Sequence, residues 1–369
     1  MPPERDLEAQ ESAVADDNAA FVPAAAGGPA ARSANETVQP APAVPARSRS
    51  LDIVGARNWF FLLSLLIIIP GIISMATQGF LLGIDFQGGT QFLLKFGNNP
   101  SLAEVQSAVS AQGVNGVVQQ TANGSFLIRT GSIDPTHQAQ LETALAAKLG
   151  KVDQISVAYV GPTIAAEIIQ RAIIAIVAAS TLILLYLAFR FRKVQGGFRS
   201  GMQFGGSALL ALLHDVFLVC GVFSILGKGI PFLGWNGSQL GQVDSLFLTA
   251  VLTVIGFSVH DTIVIFDRIR ENMIVSRRLS FEQVVNLSIK QSAARSIITS
   301  FTVVLVLLSL FLFGGETLKG FVLALLIGII SGTYSSIFNA SPLLVVWQEW
   351  DDRRKARLNA TRTPRRASA

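Results

Sequence analysis

Two adjacent His-Asp pairs, His214-Asp215 and His260-Asp261, lie within long apolar stretches of this 369-residue sequence. An ionisable side chain inside a membrane-crossing helix costs at least about 2.5 kcal/mol on insertion scales, so it must face protein or water. Serine or asparagine could form a hydrogen bond between helices with a smaller desolvation cost. The presence of aspartate therefore favours a side chain that gains and releases a proton. We predict this role for Asp261 and Asp215, with a structural hydrogen bond between helices as the alternative.

The two histidines and Arg295 bear on the same chemistry. His260 is either a second titratable group beside Asp261 or, like His214, a polar residue that packs between helices. Arg295 opens a later apolar stretch, and its long side chain could reach inward. It is therefore either an anchor at the membrane surface or a cation that pairs with Asp261 until that carboxyl is protonated.

Helical spacing predicts which way Asp261 points. Ser258 and Ile265 lie three and four residues away and share its face, so Asp261 is expected to look inward alongside a serine. The charged turn that follows begins with Asp267-Arg268. We interpret this turn as either a solvated helix end or a surface that contacts a partner.

These residues must be positioned by helices that cross a membrane. The chain is 50% hydrophobic and only 14% charged, whereas soluble proteins carry about 25% charged residues. Crossing the hydrocarbon core takes about 20 apolar residues. Six stretches meet this requirement, so we predict a polytopic α-helical membrane protein whose spans are residues 59–78, 166–189, 204–226, 245–266, 297–313 and 320–346.

The positive charges predict the orientation of the spans. Arginines and lysines concentrate before span one, between spans two and three, after span four and in the tail after span six. The alternate short loops, 227–244 and 314–319, carry only Lys228 and Lys319. Since cytoplasmic loops carry the excess of basic residues, both termini are expected to be cytoplasmic. The net charge of +5 is therefore a signal of topology, and we expect no nucleic-acid partner.

The region between spans one and two, residues 79–165, is expected to fold outside the cytoplasm as a small α+β domain. Its pattern predicts strands at 90–96, 117–121, 125–130 and 152–160 and helices at 101–112 and 135–149. Asn123-Gly124 is typical of a tight hairpin turn. The order βαββαβ is that of the ferredoxin-like fold, with both helices on one face of the sheet.

A glycine-rich motif, Gly-Ile-Asp-Phe-Gln-Gly-Gly at residues 83–89, leads from span one into this domain. Glycine permits positive φ and close backbone approach, so Gly88 and Gly89 could simply form rigid turns. The functional alternative is that they shape, with Asp85, a surface that contacts a partner or substrate.

The cytoplasmic parts are predicted as follows. Residues 1–50 are rich in Ala, Pro and Gly and almost lack large apolar residues, so we expect a disordered tail. Residues 267–296 form a loop in which 280–294 is expected to lie along the membrane surface as an amphipathic helix. Residues 347–369 are interpreted as a basic tail. In span six, small residues at three- and four-residue offsets, including Gly328 and Gly332, predict close helix packing.

Several of these motifs together resemble the SecF members of the SecD/SecF family of RND-type membrane proteins. They are the motif at 83–89, Val-Gly-Pro at 160–162, Leu-His-Asp at 213–215, and His-Asp-Thr-Ile-Val-Ile-Phe-Asp-Arg-Ile-Arg-Glu-Asn at 260–272. Arg-Ser-Ile-Ile-Thr-Ser at 295–300 and Phe-Gly-Gly-Glu-Thr-Leu at 313–318 complete the set. The resemblance covers about residues 51–350, in order and with matching spacing.

The resemblance implies one half of an RND-type transporter in the bacterial cytoplasmic membrane, which works with SecD and the SecYEG channel on a translocating preprotein. It places Asp261 at the family's proton-responsive carboxylate and Arg295 at its partner arginine. His260 departs from the asparagine common in relatives. The implied function is to use the proton gradient for late preprotein translocation.

The implied function needs neither covalent chemistry nor a metal or cofactor, and the residues offer no catalytic set, so we do not expect an enzyme. Two rival functions are a stand-alone proton-driven exporter of small molecules or lipids, and a passive assembly scaffold.

Overall fold

The protein is described by a computed structural model over residues 52–114, 116–121, 123–194, 197–230, 233–235, 237–276 and 278–362. The predicted disordered tail, residues 1–50, and the last seven residues of the predicted basic tail lie outside the described residues.

Within the described part of the chain, six helical segments are long and apolar enough to cross a membrane. The first five are α1 (Arg57–Thr77), α5 (Pro162–Arg190), α6 (Phe198–Lys228), α7 (Ser245–Val275) and α8 (Phe281–Phe313). The sixth consists of α9 (Lys319–Ser335), a π-helical turn (Ser336–Ala340) and α10 (Ser341–Arg362). The prediction of six spans is confirmed.

Between α1 and α5 lies the predicted small domain. After the short β1 (Leu81–Leu82) and α2 (Ile84–Gln87), it contains β2 (Gly89–Phe96), α3 (Leu102–Ser110), β3 (Gly116–Gln120), β4 (Phe126–Thr130), α4 (Pro135–Leu149) and β5 (Val152–Val160). The four strands β2–β5 form one antiparallel sheet in the order β3-β4-β2-β5, the ferredoxin-like arrangement. Phe92, Phe126 and Ile128 on the sheet pack with Val105 of α3 and Leu145 of α4, so both helices cover one face.

Local sequence signals explain where the helices of this domain begin. Ser101 and Glu104 form a capping box at the start of α3, and Asp134 accepts a bond from the His137 backbone at the start of α4. Each cap satisfies backbone N–H groups that the first helical turn leaves free. The hairpin between β3 and β4 turns at Gly124, where φ is +76°.

The helical bundle is centred on α6, α7 and α9, whose facing residues include Val219, Val254 and Ile329. Small residues allow this close approach. A Cβ added to Gly328 of α9 would lie 2.2 Å from the Val254 side chain, and one on Gly332 would lie 3.0 Å from Ser258. The predicted close packing by the small residues of span six is therefore present.

The helices α1 and α6 approach each other still more closely. A Cβ on either Gly71 or Gly221 would lie 2.7 Å from the Cα of the other, so the two backbones touch at this crossing. One turn further along, Ser74 and Ser224 share a hydrogen bond of 2.7 Å. The pair is thus fixed by a backbone contact and a buried polar contact next to it.

The structure differs from the expected interfacial helix at residues 280–294. This segment is the first part of α8, which continues without interruption to Phe313. The Ser280–Gln283 capping box starts the helix, and residues 281–313 contain neither glycine nor proline to end it. At 1.5 Å per residue the helix is about 50 Å long, so its first turns extend beyond a hydrocarbon core of about 30 Å.

The last span also differs from its predicted bounds of 320–346. The π-helical turn at Ser336–Ala340 lies just before Pro342, which has no N–H to donate. Helix α10 then continues to Arg362. Part of the segment interpreted as a basic tail is therefore helical.

The crossing of α1 and α6 gives a first test. Replacing Gly221 by valine should force the two backbones apart and lower the thermal unfolding temperature in detergent, since overpacking typically costs about 1–3 kcal/mol. Gly256→Ala is the matched control, because a Cβ on this α7 glycine meets nothing within 4 Å. The control should unfold at or above the wild-type temperature, and equal stability of both variants would contradict the backbone contact.

Candidate functional site

Asp215 lies in the middle of α6 and is only 1% exposed. Three serine hydroxyls donate to its carboxylate: Ser258 of α7 at 2.7 Å, Ser331 of α9 at 2.6 Å and Ser335 of α9 at 2.6 Å. Both carboxylate oxygens are used. A buried carboxylate is tolerated where neighbouring helices supply such donors, so Asp215 joins α6, α7 and α9 at one point.

His214 lies beside this cluster. Its Nδ1 is 3.0 Å from the nearer Asp215 oxygen, and its ring stacks on Tyr334 with centroids 6.3 Å apart. Its Nε2 is buried and has no hydrogen-bond partner among the described residues. His214 is thus half-buried between helices next to the carboxylate, as its packing interpretation requires.

Asp261 of α7 is equally buried, at 1% exposure, but is held more loosely. Thr333 of α9 and Ser300 of α8 donate to its Oδ2 at 3.2 and 3.4 Å. The His260 Nδ1 lies 3.8 Å from the other oxygen, and the His260 side chain is 64% exposed. Compared with Asp215, this carboxylate has fewer and longer bonds.

The predicted inward orientation of Asp261 is present in the structure, but its partners differ from the expectation. Ser258 shares the inner face of α7, yet its hydroxyl bonds to Asp215 instead. The serine that reaches Asp261 is Ser300, on a different helix. Sequence spacing identifies a shared face, but the carboxylate each hydroxyl meets depends on how the helices are registered against one another.

Arg295 makes no ion pair with Asp261 in the described part of the structure. Its side chain is exposed on α8, and among the described residues no ion pair joins it to a carboxylate. The neighbouring Ser296 and, one turn on, Ser300 face inward in its place. The pairing of Arg295 with Asp261 therefore stays a prediction for another arrangement of the helices.

Asp267 and Arg268, the predicted partner-contact residues at the end of α7, make contacts within the chain. Asp267 accepts from Arg190 at 2.9 Å and from Arg270 at 3.2 Å. Arg268 donates to Gln291 of α8 at 2.7 Å and to Glu271 at 2.6 Å. These bonds tie the ends of α5, α7 and α8 together, and both side chains retain exposed surface.

Asp85, the third predicted contact residue, joins the outer domain to the start of α7. Its Oδ2 accepts from the Ser245 backbone N at 2.8 Å and from the Ser245 hydroxyl at 2.6 Å. A carboxylate at a helix N-terminus is favoured by the free N–H groups and the helix dipole. Beside it, β1 pairs in parallel with the short β6 (Gln242–Val243), the segment just before α7.

Arg129 of β4 forms a second link between the outer domain and the segment before α7. Its guanidinium donates to Gln119 at 2.9 Å and also to Gln239, which precedes β6. Burial lowers the pKa of Arg129 to about 10, while the nearby Asp244 charge opposes this shift. Burial and the charge of Asp85 raise the pKa of Asp244, although its bond from the Phe247 backbone lowers it. The junction is thus polar and only partly withdrawn from water: Arg129 and Asp244 are half-buried, whereas Ser245 is exposed.

Gly88 and Gly89 have backbone roles here. Their φ angles are +71° and +128°, and a Cβ on Gly89 would lie 2.4 Å from the carbonyl oxygen of Thr130. Gly88 lies in the turn between α2 and β2, as the rigid-turn interpretation expects, whereas Gly89 is the first residue of β2. Their predicted contact with a partner stays a prediction.

Sequence reasoning missed several residues that the structure places at the carboxylates and at the outer junction. They are Ser300, Ser331, Thr333, Arg129, Gln239, Asp244 and Ser245. The run Ser-Gly-Thr-Tyr-Ser-Ser at 331–336 offered a signal, because polar hydroxyls in an apolar span seek buried partners. Among the described residues no group of three or more His, Cys, Asp or Glu side chains could hold a metal ion.

The unequal bonding of the two aspartates gives a second test. Interhelical hydrogen bonds in membrane proteins average about 0.6 kcal/mol, with values up to about 1.7. Asp215→Ala loses three short bonds and should destabilise the protein by about 2 kcal/mol, whereas Asp261→Ala loses two long ones and should cost less than about 1 kcal/mol. Thermal unfolding in detergent measures both, with the exposed Asp352→Ala as control. Equal losses would contradict the difference in bonding.

Comparison with known proteins assigns the family. A family model described as "Protein export membrane protein SecD/SecF, C-terminal" matches residues 140–350, and one described as "SecD/SecF GG Motif" matches residues 73–99. A protein translocase subunit SecF from Thermobaculum terrenum is 48% identical over 314 residues, covering 82% of this chain and 95% of that protein. One from Anaerolinea thermophila is 42% identical, covering 81% and 96%.

Solved structures agree with this assignment. The crystal structure of SecDF, a translocon-associated membrane protein from Thermus thermophilus, matches with a TM-score of 0.68 and 32% identity over 80% of this chain. A structure of SecDF in a super-membrane-facing form matches with a TM-score of 0.59 and 30% identity over 85% of this chain. The chain spans only 38% and 40% of those two SecDF chains. It belongs to the SecD/SecF family of protein-export membrane proteins, in which it is a SecF-type subunit of the protein translocase.

Proposed function

We propose that this subunit works with SecD and the SecYEG channel in the cytoplasmic membrane, and that it uses the proton gradient to promote late preprotein translocation. The observation that carries the proposal is the state of Asp261: a carboxylate buried in a spanning helix, bonded on one oxygen by hydroxyls at 3.2 and 3.4 Å. Few and long bonds leave room for the carboxyl to gain a proton and change its partners. The partners SecD, SecYEG, preprotein and lipid follow from the family.

Protonation of Asp261 would change the hydrogen bonds that its neighbours can make with it. The ionised carboxylate only accepts hydrogen bonds, whereas the protonated acid also donates one. The Thr333 and Ser300 hydroxyls, themselves in contact, would then have to reorient. Since these groups lie on α9 and α8, the relative positions of α7, α8 and α9 depend on whether Asp261 is protonated.

Helix α7 links this event to the outer domain. It runs without a break from Ser245, which Asp85 contacts, to Asp261. The 16 residues between these positions span about 24 Å. A shift of α7 at Asp261 would therefore reach the outer junction, where the domain that faces the emerging preprotein is attached. The positive-inside pattern supports this outward placement, with both termini in the cytoplasm.

Asp261→Asn tests the coupling directly. The amide matches the carboxylate in size but carries no titrating proton, so stimulation of export by the gradient should disappear while export without a gradient continues. The measurement is the rate of preprotein completion in inverted membrane vesicles, with and without a proton gradient. Asp352→Asn, which changes an exposed carboxylate, is the control. Full gradient stimulation in Asp261→Asn, at normal membrane levels, would favour a passive scaffold.

Arg295 provides a separate test of pairing. Arg295→Gln should reduce gradient-driven export as Asp261→Asn does, and the double variant should be no worse than either alone, because coupled residues are not additive. Lys290→Gln, which also removes an exposed charge from α8, is the control. Independent and additive effects would leave Arg295 as an anchor at the membrane surface.

A further inference from the structure

Helix α8 carries four buried serines at four-residue intervals, Ser288, Ser292, Ser296 and Ser300, here called the serine column. At 1.5 Å per residue, successive members lie about 6 Å apart along the helix and on the same side of it. Small residues at such spacing are common where helices pack closely, so the spacing alone does not imply a ligand.

The two ends of the column are connected to polar groups. At the cytoplasmic end, Ser288 accepts from the Asn272 side chain at 2.9 Å, and Asn272 also bonds to the exposed Gln291. At the other end, Ser300 donates to Asp261 at 3.4 Å. The column therefore extends from the water-exposed end of α7 and α8 to the buried carboxylate.

The decisive residue is Ser296. It is 2% exposed, and its hydroxyl has no hydrogen-bond partner among the described residues. Ser288 and Ser292 instead donate to carbonyls of their own helix, each at 2.7 Å. An unpaired buried hydroxyl is destabilising, and alanine would fill the same space without that cost. Ser296 thus lacks a packing reason for its hydroxyl.

The spacing of the column suits water. Two hydrogen bonds of about 2.8 Å, one to each hydroxyl, would span nearly the 6 Å rise between neighbouring serines, so a single water has the right length to bridge them. On α7, Ile265 and Ile269 are fully buried between Asp261 and Asn272. The buried Thr262 of α7 bonds to Ser258 and Ser336 instead, so the buried hydroxyls between Asp261 and Asn272 are those of the serine column.

We propose that the serine column, with water between its hydroxyls, is the route by which protons pass from Asp261 to the cytoplasmic surface. This inference rests on the proposed proton coupling and specifies the path that the proton takes. The Asp261 carboxyl releases its proton to the neighbouring hydroxyl oxygen of Ser300. Each hydroxyl and water in turn accepts one proton and releases another. One proton leaves at the Asn272 end as hydronium, and Asp261 is left ionised.

The charged and titratable groups around this route are few. On α7, His260 lies 3.8 Å from Asp261, and the ion-paired side chains of Asp267, Arg268, Arg270 and Glu271 lie at the cytoplasmic end. On α6, Asp215 is engaged with His214 and serines, and from α9 the group that faces Asp261 is the uncharged Thr333. On α8 and α10 the other charged groups lie toward the cytoplasmic end or are exposed. They include Glu282, Lys290 and Arg295 on α8, and Glu349 and Asp351 on α10, which pair with Arg57 and Arg199.

Ser296→Ala is the test, in inverted vesicles that contain the full chain with SecD and the channel. Gradient-driven export should slow about fivefold, as expected for loss of one hydrogen bond to a bridging water. Export without a gradient and the thermal unfolding temperature should not fall. Ser309→Ala removes an exposed hydroxyl from the outer half of the same helix and should leave every rate unchanged. An unaltered gradient-driven rate in Ser296→Ala would overturn the proposal.

A solvent isotope measurement separates a proton route from packing. If Ser296→Ala interrupts proton transfer, the ratio of the gradient-driven rates in H₂O and D₂O should rise above the wild-type ratio. Ser292→Ala should behave in the same way. A slower rate with an unchanged isotope ratio would assign the serines to packing and overturn the route.

Failure of the route and failure of the coupling give different results. If gradient stimulation is absent in the wild type or survives in Asp261→Asn, the proposed function fails. If it is present in the wild type, lost in Asp261→Asn and intact in Ser296→Ala, only the serine route fails.

Discussion

The structure of the bundle depends on one constraint: a carboxylate buried among spanning helices must find its hydrogen-bond donors on neighbouring helices. Asp215 meets this requirement with three serines at 2.6 to 2.7 Å, which fix α6, α7 and α9 against one another. A serine side chain is short, so its hydroxyl can bond to a carboxylate on another helix only where the two backbones lie close together. The glycines of α9, which leave no room for a Cβ against Val254 and Ser258, are therefore part of the same arrangement.

Asp261 shows the opposite solution to the same constraint. Its bonds are longer and use one oxygen, and its donors come from α8 and α9. Within one bundle, one aspartate is thus firmly held and the other is loosely held. The first suits a fixed attachment between helices. The second suits a change of state, which a rigid bundle could not otherwise accommodate, because packed interiors resist gradual deformation.

Much of this architecture could be predicted from the sequence, because local patterns decide it. Apolar length determined the six spans, and strand alternation with the Asn123-Gly124 turn determined the outer domain. The inward face of Asp261 followed from helical periodicity. The partners did not follow: Ser258 meets Asp215 and Ser300 meets Asp261, because the register between helices is set by tertiary packing. The continuation of α8 from Phe281 was missed because an amphipathic segment and an apolar span looked like two elements, although no helix breaker separates them.

The backbone contact between Gly71 and Gly221 has a consequence for the outer domain. This domain begins after α1, which that contact locks to α6, while its Asp85 rests on the first turn of α7. One attachment is therefore stationary with respect to α6, and the other follows α7. The domain also continues directly into α5, which packs on α6, so a displacement of α7 would tilt the domain about its connections to α1 and α5. In such a tilt, the parts of the sheet farthest from these two connections would move farthest.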